Sequence, residues 1–349
     1  MSAAYVSAVG MRVLRREAHT PDELETFHRD GYVIFPDIML DEARVRFREE
    51  LLSIEQSFDA RGPCEISAPA YLAMSEEQRA RTRDLRNSIT PHQFGPLRNW
   101  DHKGPVSDAL IDPPLTMQFL GDVMGSKFNL CHTSMNITSR GNAERLPAGT
   151  FPALHQDAGG SAADRMASYS SQQAQSKHYT RERDDWYISC FYYVDGLQAG
   201  DGSLCVLPGS HRLPPVQLVP GTLSNEEASA RLQELIEDHN LVPQMLDLPH
   251  GSLIIHNSMC YHGVEPKPPD AEREHRIFAD YIYKSYQYPK ARTQPIPLTW
   301  LNSVKGSPSR YARRMMLFDR PIGSMYGDQY PEPKADEVLC VHHVGTGRL

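Results

Sequence analysis

The chain has 349 residues, with 36 Lys and Arg against 44 Asp and Glu and a formal charge of -8; its pI is near 6.0. No concentrated basic run is present, which excludes nucleic acid as a partner because phosphate binding needs a focused cationic surface. No stretch approaches the roughly 20 apolar residues of a membrane span, and the N-terminus lacks the basic-then-apolar order of a secretory signal, so no membrane partner is expected and the protein reads as cytoplasmic. Six cysteines (Cys64, Cys131, Cys190, Cys205, Cys260, Cys340) show no paired spacing and read as reduced thiols.

Residues 1–19 carry no periodicity and read as a loose N-terminal arm. At Thr20-Pro21-Asp22-Glu23, Thr20 can cap a helix, Pro21 suits its first position and Glu23 can close a capping box; Gly31 ends it. Tyr32 to Phe35 reads as a short strand, and Phe47, Leu51 and Ile54 recur at helical spacing over 41–57. Ser75 can cap a charged helix over 76–88, and His92 to Pro114 is rich enough in Pro, Gly and polar residues to read as irregular. Leu115 to Met124 is amphipathic and stops at Gly125.

From residue 127 the pattern changes to β-branched, aromatic and short polar residues between turn signals. Strands are expected at 127–138, 151–156, 186–194, 203–207, 244–248, 252–256, 259–263 and 275–284, which points to a barrel or sandwich. Residues 158–185 are rich in Ser, Gln, Ala and charge and read as a lid, since long loops in a domain are commonly functional. Residues 213–243 include a helix at 225–239 capped by Ser224. Beyond 285 the chain is rich in Pro, with one helix near 308–318, and reads as an extension packed on the core. The organisation expected is one domain over 20–285 and a C-terminal extension over 286–349.

Three segments carry chemistry. In Leu154-His155-Gln156-Asp157 the residues two apart on an extended segment project to one face, so His155 and Asp157 can ligate one ion. An imidazole and a carboxylate leave sites open on a metal such as iron(II), which must also take a cosubstrate and dioxygen. Taken alone, His-x-Asp is a weak signal that many half-buried strands show. The second segment, Gly251 to Pro266, holds a late strand with two histidines. His262 is the candidate third ligand; His256, about 20 Å away along an unbroken strand, reads as a core histidine. Cys260 would serve a zinc site if the chain were a zinc hydrolase. In the third, Glu274-His275-Arg276-Ile277-Phe278, a cation enters an apolar strand. Arg276 offers a planar fork suited to a carboxylate; Arg273, in a charged turn, is its rival.

With these segments in place, the sequence resembles the phytanoyl-CoA dioxygenase family of Fe(II)/2-oxoglutarate-dependent oxygenases. Leu154-His155-Gln156-Asp157 is similar to that family's metal motif. Gly200-Asp201-Gly202-Ser203-Leu204-Cys205-Val206-Leu207-Pro208-Gly209-Ser210-His211 resembles its N-G-x-L-x-V-x-P-G-S-H segment, and Gly251 to His256 followed by His262-Gly263 its distal-histidine segment. Phe27 to Ile34 looks like its opening helix and strand. The resemblance implies a mainly β fold, a double-stranded β-helix or jelly roll with flanking N-terminal helices. It also implies iron(II) on His155, Asp157 and His262, with 2-oxoglutarate and O2 as cosubstrates and Arg276 binding the distal carboxylate. Thr133, Asn136 and Thr138 precede the ligand motif on one strand, and those that face inward can contact the cosubstrate. The expected reaction is hydroxylation of a small-molecule or natural-product substrate, coupled to conversion of 2-oxoglutarate to succinate and CO2. Desaturation, cyclisation and epoxidation remain open; halogenation is disfavoured because Asp157 is present. A zinc-dependent hydrolase or a non-catalytic binding protein on the same fold is the alternative.

The chain departs from the family's pattern at Val264, where Ser is usual after His-Gly, and in a longer link from His262 to Arg276. Pro208 to Arg212 reads as a structural turn. Trp186 and Phe191 read as core or pocket wall, and Trp100, Asp101 and His102 as substrate-side candidates. The sequence leaves the oligomeric state open.

Overall fold

Thr20 opens the first helix as its residue type requires. In α1 (Pro21–Asp30), Thr20 Oγ1 accepts from the Glu23 amide at 3.3 Å while the Glu23 carboxylate accepts from the Thr20 amide at 2.7 Å, a reciprocal capping box. Gly31 ends the helix at φ +82°, a conformation that L side chains avoid. The structure, a computed structural model, describes residues 11–59, 63–67, 97–98, 104–125, 128–139, 187–212, 225–265, 267–285, 307–309 and 338–342, with Ser75, Leu154, Gln156 and Leu317.

Chain order runs α1, β1 (Tyr32–Phe35), α2 (Asp41–Asp59), β2 (Pro63–Ser67), β3 (Leu97–Arg98), α3 (Pro105–Ala109), α4 (Pro114–Met124) and β4 (Phe128–Ser139). It continues with β5 (Tyr187–Tyr193), β6 (Leu204–Val206), α5 (Asn225–Asp238), β7 (Gln244–Met245), β8 (Ser252–Asn257), β9 (His262–Val264), β10 (His275–Ser285) and β11 (Val338–His342). A six-stranded sheet has the order β1-β8-β5-β10-β4-β3, and a three-stranded sheet the order β7-β6-β9. Every pairing in them is antiparallel. From β5 to β10 the chain passes from the large sheet to the small one and back twice, the winding expected of a double-stranded β-helix.

The large sheet is covered on both faces. One side chain in two along its strands (Val33, Phe35, Ile137, Ile188, Cys190, Tyr192, Leu253, Ile255, Ile277, Ala279, Tyr281) packs with Phe27, Phe47, Leu51, Leu115 and Phe119 of the helices. The alternate set (Tyr32, Phe191, Tyr193, Ile254, Phe278) packs with Leu204, Val206, Leu246 and Leu248 around the small sheet. Period-2 alternation thus divides one strand set between two cores, and all seven residues of β5 are buried.

Helix α3 lies within the stretch expected to be irregular. Glu50 holds it there: its carboxylate accepts from the amides of Val106 and Ser107 at 3.1 and 2.9 Å, satisfying donors that a helix start leaves over. From the sheet, Tyr281 donates to Ser107 O at 2.8 Å and Tyr283 to Ile111 O at 2.6 Å. A second difference concerns the balance of elements. Helix and strand are present in similar measure among the described residues, so the fold is mixed, antiparallel sheets with helices, rather than mainly β. The stretch ahead of α1, read as a loose arm, is packed from residue 11 on: Val13 and Leu14 are buried, and the Arg15 amide donates to Ile38 O. β11 pairs with β2, so the C-terminal extension joins the segment after α2. The expected helix at 76–88 (apart from its neighbour Ser75), the strand at 151–156 (apart from Leu154 and Gln156) and the lid at 158–185 lie outside the described residues. No helix among them is long and apolar enough to cross a membrane.

Tyr281→Phe and Tyr283→Phe each leave a buried carbonyl without its donor. Each is expected to lower unfolding free energy by about 1–2 kcal/mol, read as a shift in urea midpoint with unchanged slope; no shift in either would show that α3 and the link after it are not pinned from the sheet.

Candidate functional site

His262 opens β9, where Val206 of β6 stands opposite it. The turn that delivers it, 257–261, is braced at successive residues. Asn257 accepts through Oδ1 from the Met259 amide at 2.9 Å, and through its carbonyl from the Cys260 amide at 2.8 Å. The Tyr261 amide donates to Ser210 Oγ at 2.8 Å, and Tyr261 O accepts from the Leu207 amide at 2.8 Å. His262 is 4% exposed, and its Nδ1 lies 3.1 Å from Cys260 O. A carbonyl can only accept, so Nδ1 carries the proton and a neutral ring holds its lone pair on Nε2. That is the tautomer of a metal-binding histidine whose other nitrogen is held by the protein.

The other expected ligands, His155 and Asp157, lie outside the described residues. Gln156 between them is described: its Nε2 donates to Met259 O at 2.7 Å, in the turn that leads to His262. The middle of the first motif and the approach to the second are therefore in direct contact, though some 100 positions separate them in sequence.

His256 corrects an expectation. The strand is broken at 258–261, the chain crosses to the facing sheet, and the His256 and His262 rings stand 4.5 Å apart at 72° instead of far apart along one strand. His256 also lies 5.8 Å from Phe191, which places Phe191 on the inner wall. Cys260 does not join these histidines as a ligand. Its thiol donates to Leu207 O at 3.3 Å, and among the described residues it forms no group of three potential ligands with them. Among the described residues the single group of three potential ligands in mutual reach is Asp37, Asp41 and His250 on the surface, where Arg15 bridges the two carboxylates.

Arg276 is 4% exposed on the inner face of β10. Nη2 donates to Thr138 Oγ1 at 2.8 Å, Nη1 donates to Gly202 O, and Nε is buried without a partner. Burial lowers its pKa, against the raising effects of Tyr193 and Asp201. Among the described residues it has no carboxylate partner. Arg273 is occupied elsewhere, donating to Asp195 O and to Gln198 Oε1 at the turn after β5.

The three polar residues named on the strand before the ligand motif separate. Asn136 stands opposite Phe278 on the inner face and accepts from Thr138 at 3.2 Å, so it reaches the Arg276 cluster. Thr133 stands opposite Tyr281 on the helix-facing side, and its buried hydroxyl is not brought to that cluster. Odd and even positions of one strand face opposite ways, and Thr138, in step with Asn136, takes the place beside the guanidinium. Trp186, Trp100, Asp101 and His102 lie outside the described residues.

Pro208 to Arg212 braces the site from outside, as the turn reading expects. His211 Nε2 donates to His28 O at 3.2 Å, at the end of α1. Gly31 packs so tightly on this ring that a Cβ there would lie 2.5 Å from His211 Nδ1.

The family model that matches this chain gives its class: it is an enzyme of the Fe(II)/2-oxoglutarate-dependent oxygenases. More narrowly, residues 27–273 match the phytanoyl-CoA dioxygenase (PhyH) family, and the chain belongs to it. No curated protein matches the sequence. Among solved structures it is similar to EctD from S. alaskensis with 2-oxoglutarate and 5-hydroxyectoine (15% identity, covering 92% of this chain and 91% of that one, TM-score 0.49). It is also similar to the α-ketoglutarate-dependent carbocyclase SnoK from nogalamycin biosynthesis (12%, 80% and 87%, TM-score 0.48). A third is HygX from Streptomyces hygroscopicus with nickel and 2-oxoglutarate (15%, 77% and 88%, TM-score 0.45).

Burial, with the Arg212 charge beside it, lowers the His211 pKa from 6.5 to about 4. The unfolded chain therefore binds a proton that the folded one refuses, so this contribution to stability is present above pH 6.5 and is lost as pH falls towards 4. His211→Gln is expected to flatten the fall of Tm across that window; an unchanged slope would remove His211 as its cause.

Proposed function

We propose that this chain is an Fe(II)- and 2-oxoglutarate-dependent oxygenase that hydroxylates an unactivated C–H bond of a small-molecule or natural-product substrate, with iron on His155, Asp157 and His262. The observation that carries this reading is the buried Arg276 guanidinium with an unsatisfied Nε and no carboxylate partner among the described residues. An uncompensated buried cation is unfavourable by several kcal/mol, and a dicarboxylate that enters between the sheets supplies the missing anion. The His262 tautomer fits a metal on Nε2. Gln156, the described residue between the other two proposed ligands, is tied to Met259 O in the same turn, which supports the reading.

Each residue has a distinct task. Arg276, held by Thr138 and Gly202 O, presents its fork to the distal carboxylate and so fixes the direction in which the cosubstrate lies. The Cys260 carbonyl keeps the His262 ring in one tautomer and orientation. Phe191 and His256 wall this space and exclude water beside the histidine. Iron(II), when bound, supplies the dioxygen chemistry coupled to oxidation of 2-oxoglutarate to succinate and CO2. A zinc site built on Cys260 is disfavoured because its thiol donates to Leu207 O and does not group with the histidines within ligating reach among the described residues.

Anaerobic addition of iron(II) and then 2-oxoglutarate is expected to give a weak visible charge-transfer band. Its absence with both bound would reject the reading. Succinate release over a compound library identifies the substrate. Arg276→Gln should raise the 2-oxoglutarate concentration needed for half-maximal turnover about 10- to 100-fold, equivalent to losing about 1.5–3 kcal/mol of charged hydrogen bonding, with iron content retained. His262→Ala should lose iron, whereas His256→Ala should retain it; the opposite pattern would mean that His256 is the ligand.

A further inference from the structure

Arg276 is one of several charges buried at this end of the sheets. Lys267 has no exposed surface and donates through Nζ to Oδ1 of Asp201, a carboxylate that is 7% exposed. It also approaches the Asp201 carbonyl at 3.5 Å. Arg273 Nε stands 3.8 Å from the other Asp201 oxygen. The next residue is Gly202, whose carbonyl accepts from Arg276. The acid adjacent to the Arg276 contact is thus already held by two other cations. Its field still reaches the guanidinium, where it opposes the effect of burial.

We propose that Lys267 is a positioning residue: by holding the Asp201 carboxylate it keeps that acid from pairing with Arg276, and so leaves the guanidinium open to the distal carboxylate of 2-oxoglutarate. This rests on Arg276 being the cosubstrate anchor. Left to themselves, a buried guanidinium and an acid one residue from its contact would pair. Such an internal pair would compete with any incoming dicarboxylate without the entropy loss of immobilising a ligand. Lys267 removes the competitor and also shapes the loop. Gly202, at φ +75°, lies so close that a Cβ there would be 3.1 Å from the Lys267 Cβ, so the lysine stem packs on the residue whose carbonyl orients Arg276. Glu265, two positions earlier, accepts from the Gly200 amide at 2.8 Å and the Ser203 amide at 3.3 Å. The connection between His262 and Arg276 therefore carries three side chains that hold this loop, Glu265, Lys267 and Arg273.

The test uses full-length protein loaded with Mn(II), titrated calorimetrically with 2-oxoglutarate and with 2-oxobutanoate, a 2-oxo acid that lacks the distal carboxylate. Mn(II) affinity, stoichiometry and Tm are followed in parallel. Lys267→Met should weaken 2-oxoglutarate binding about tenfold, the scale of coupling between residues of one buried network, with stoichiometry, Mn(II) affinity and 2-oxobutanoate affinity unchanged. Adding Asp201→Asn should restore 2-oxoglutarate affinity. A purely structural role would lower Tm or the folded fraction without separating the two acids. The proposal is overturned by an unchanged 2-oxoglutarate affinity in Lys267→Met, by equal loss for both acids, or by failure of Asp201→Asn to restore binding. Should Lys267→Met not fold, Asp201→Asn alone decides: affinity equal to or tighter than wild type supports the proposal, and weaker binding overturns it. If wild type binds no 2-oxoglutarate, or Arg276→Gln binds it normally, the anchor assignment fails and this proposal with it. Loss in Arg276→Gln without loss in Lys267→Met sinks this proposal alone.

Discussion

The structure depends on the burial of both faces of one antiparallel sheet. Because side chains alternate, β10 sends Ile277, Ala279, Tyr281 and Tyr283 to the helices and Arg276 and Phe278 to the small sheet. A slip of one residue would exchange these sets, placing a guanidinium among Phe47, Leu115 and Phe119 and sending Ile277 and Ala279 to the inner face. The penalty for burying an unpaired charge in that apolar core fixes the register more firmly than backbone pairing alone. Tyr281 and Tyr283 add to this, since their hydroxyls meet Ser107 and Ile111 carbonyls in one register only. The position of Arg276 is therefore a consequence of helix packing on the far side of the sheet.

The placement of His262 follows a different logic, because β9 is three residues long and, among the described residues, pairs with β6 alone. So short a strand holds little register by itself. The turn before it compensates by being satisfied from three directions: from Asn257 within the turn, from Ser210 and Leu207 after β6, and from Gln156 in the ligand motif. His211 and Arg212 then fasten the same segment to His28 O at the end of α1. The histidine is thus referenced to the N-terminal helix, and this gives Gly31 a second role beyond ending α1. It must be glycine both for its positive φ and for the ring that lies against it.

Much of this was legible in the sequence where local chemistry decides. The capping box at Thr20, the stop at Gly31, the strand 32–35 and the alternation of Arg276 with Phe278 follow from residue type and period. What escaped depends on chain reversal. The distance between His256 and His262 was overestimated because Asn257 to Tyr261 contains neither Gly nor Pro, yet it turns by means of an Asn side chain bonding its own backbone. Thr133 and Asn136, at odd and even positions of one strand, lie on opposite faces, a separation that the strand period alone implies. Helix α3 was hidden because its start is capped by Glu50, more than 50 positions earlier in the chain. The Lys267–Asp201 pair left no local pattern at all: a buried lysine in a Pro-rich turn looks like any solvated one until its partner is known.

Buried charge links stability to function here. Lys267 and Asp201 largely neutralise each other, and such a pair contributes little net stability, since desolvation offsets most of the attraction. Arg276 is different: among the described residues its hydrogen bonds to Thr138 and Gly202 O supply dipoles but no countercharge, and Nε has no partner. A site arranged in this way is destabilised when empty and relieved when an anion binds. Under the proposed function, the free energy held in the unpaired guanidinium is recovered on cosubstrate entry, so ligand binding and folding are coupled through one residue. An arginine already paired with an internal acid would make a more stable empty protein and a weaker receptor for a dicarboxylate. The arrangement of two cations on Asp201 and none of its oxygens on Arg276 is the one that keeps the receptor.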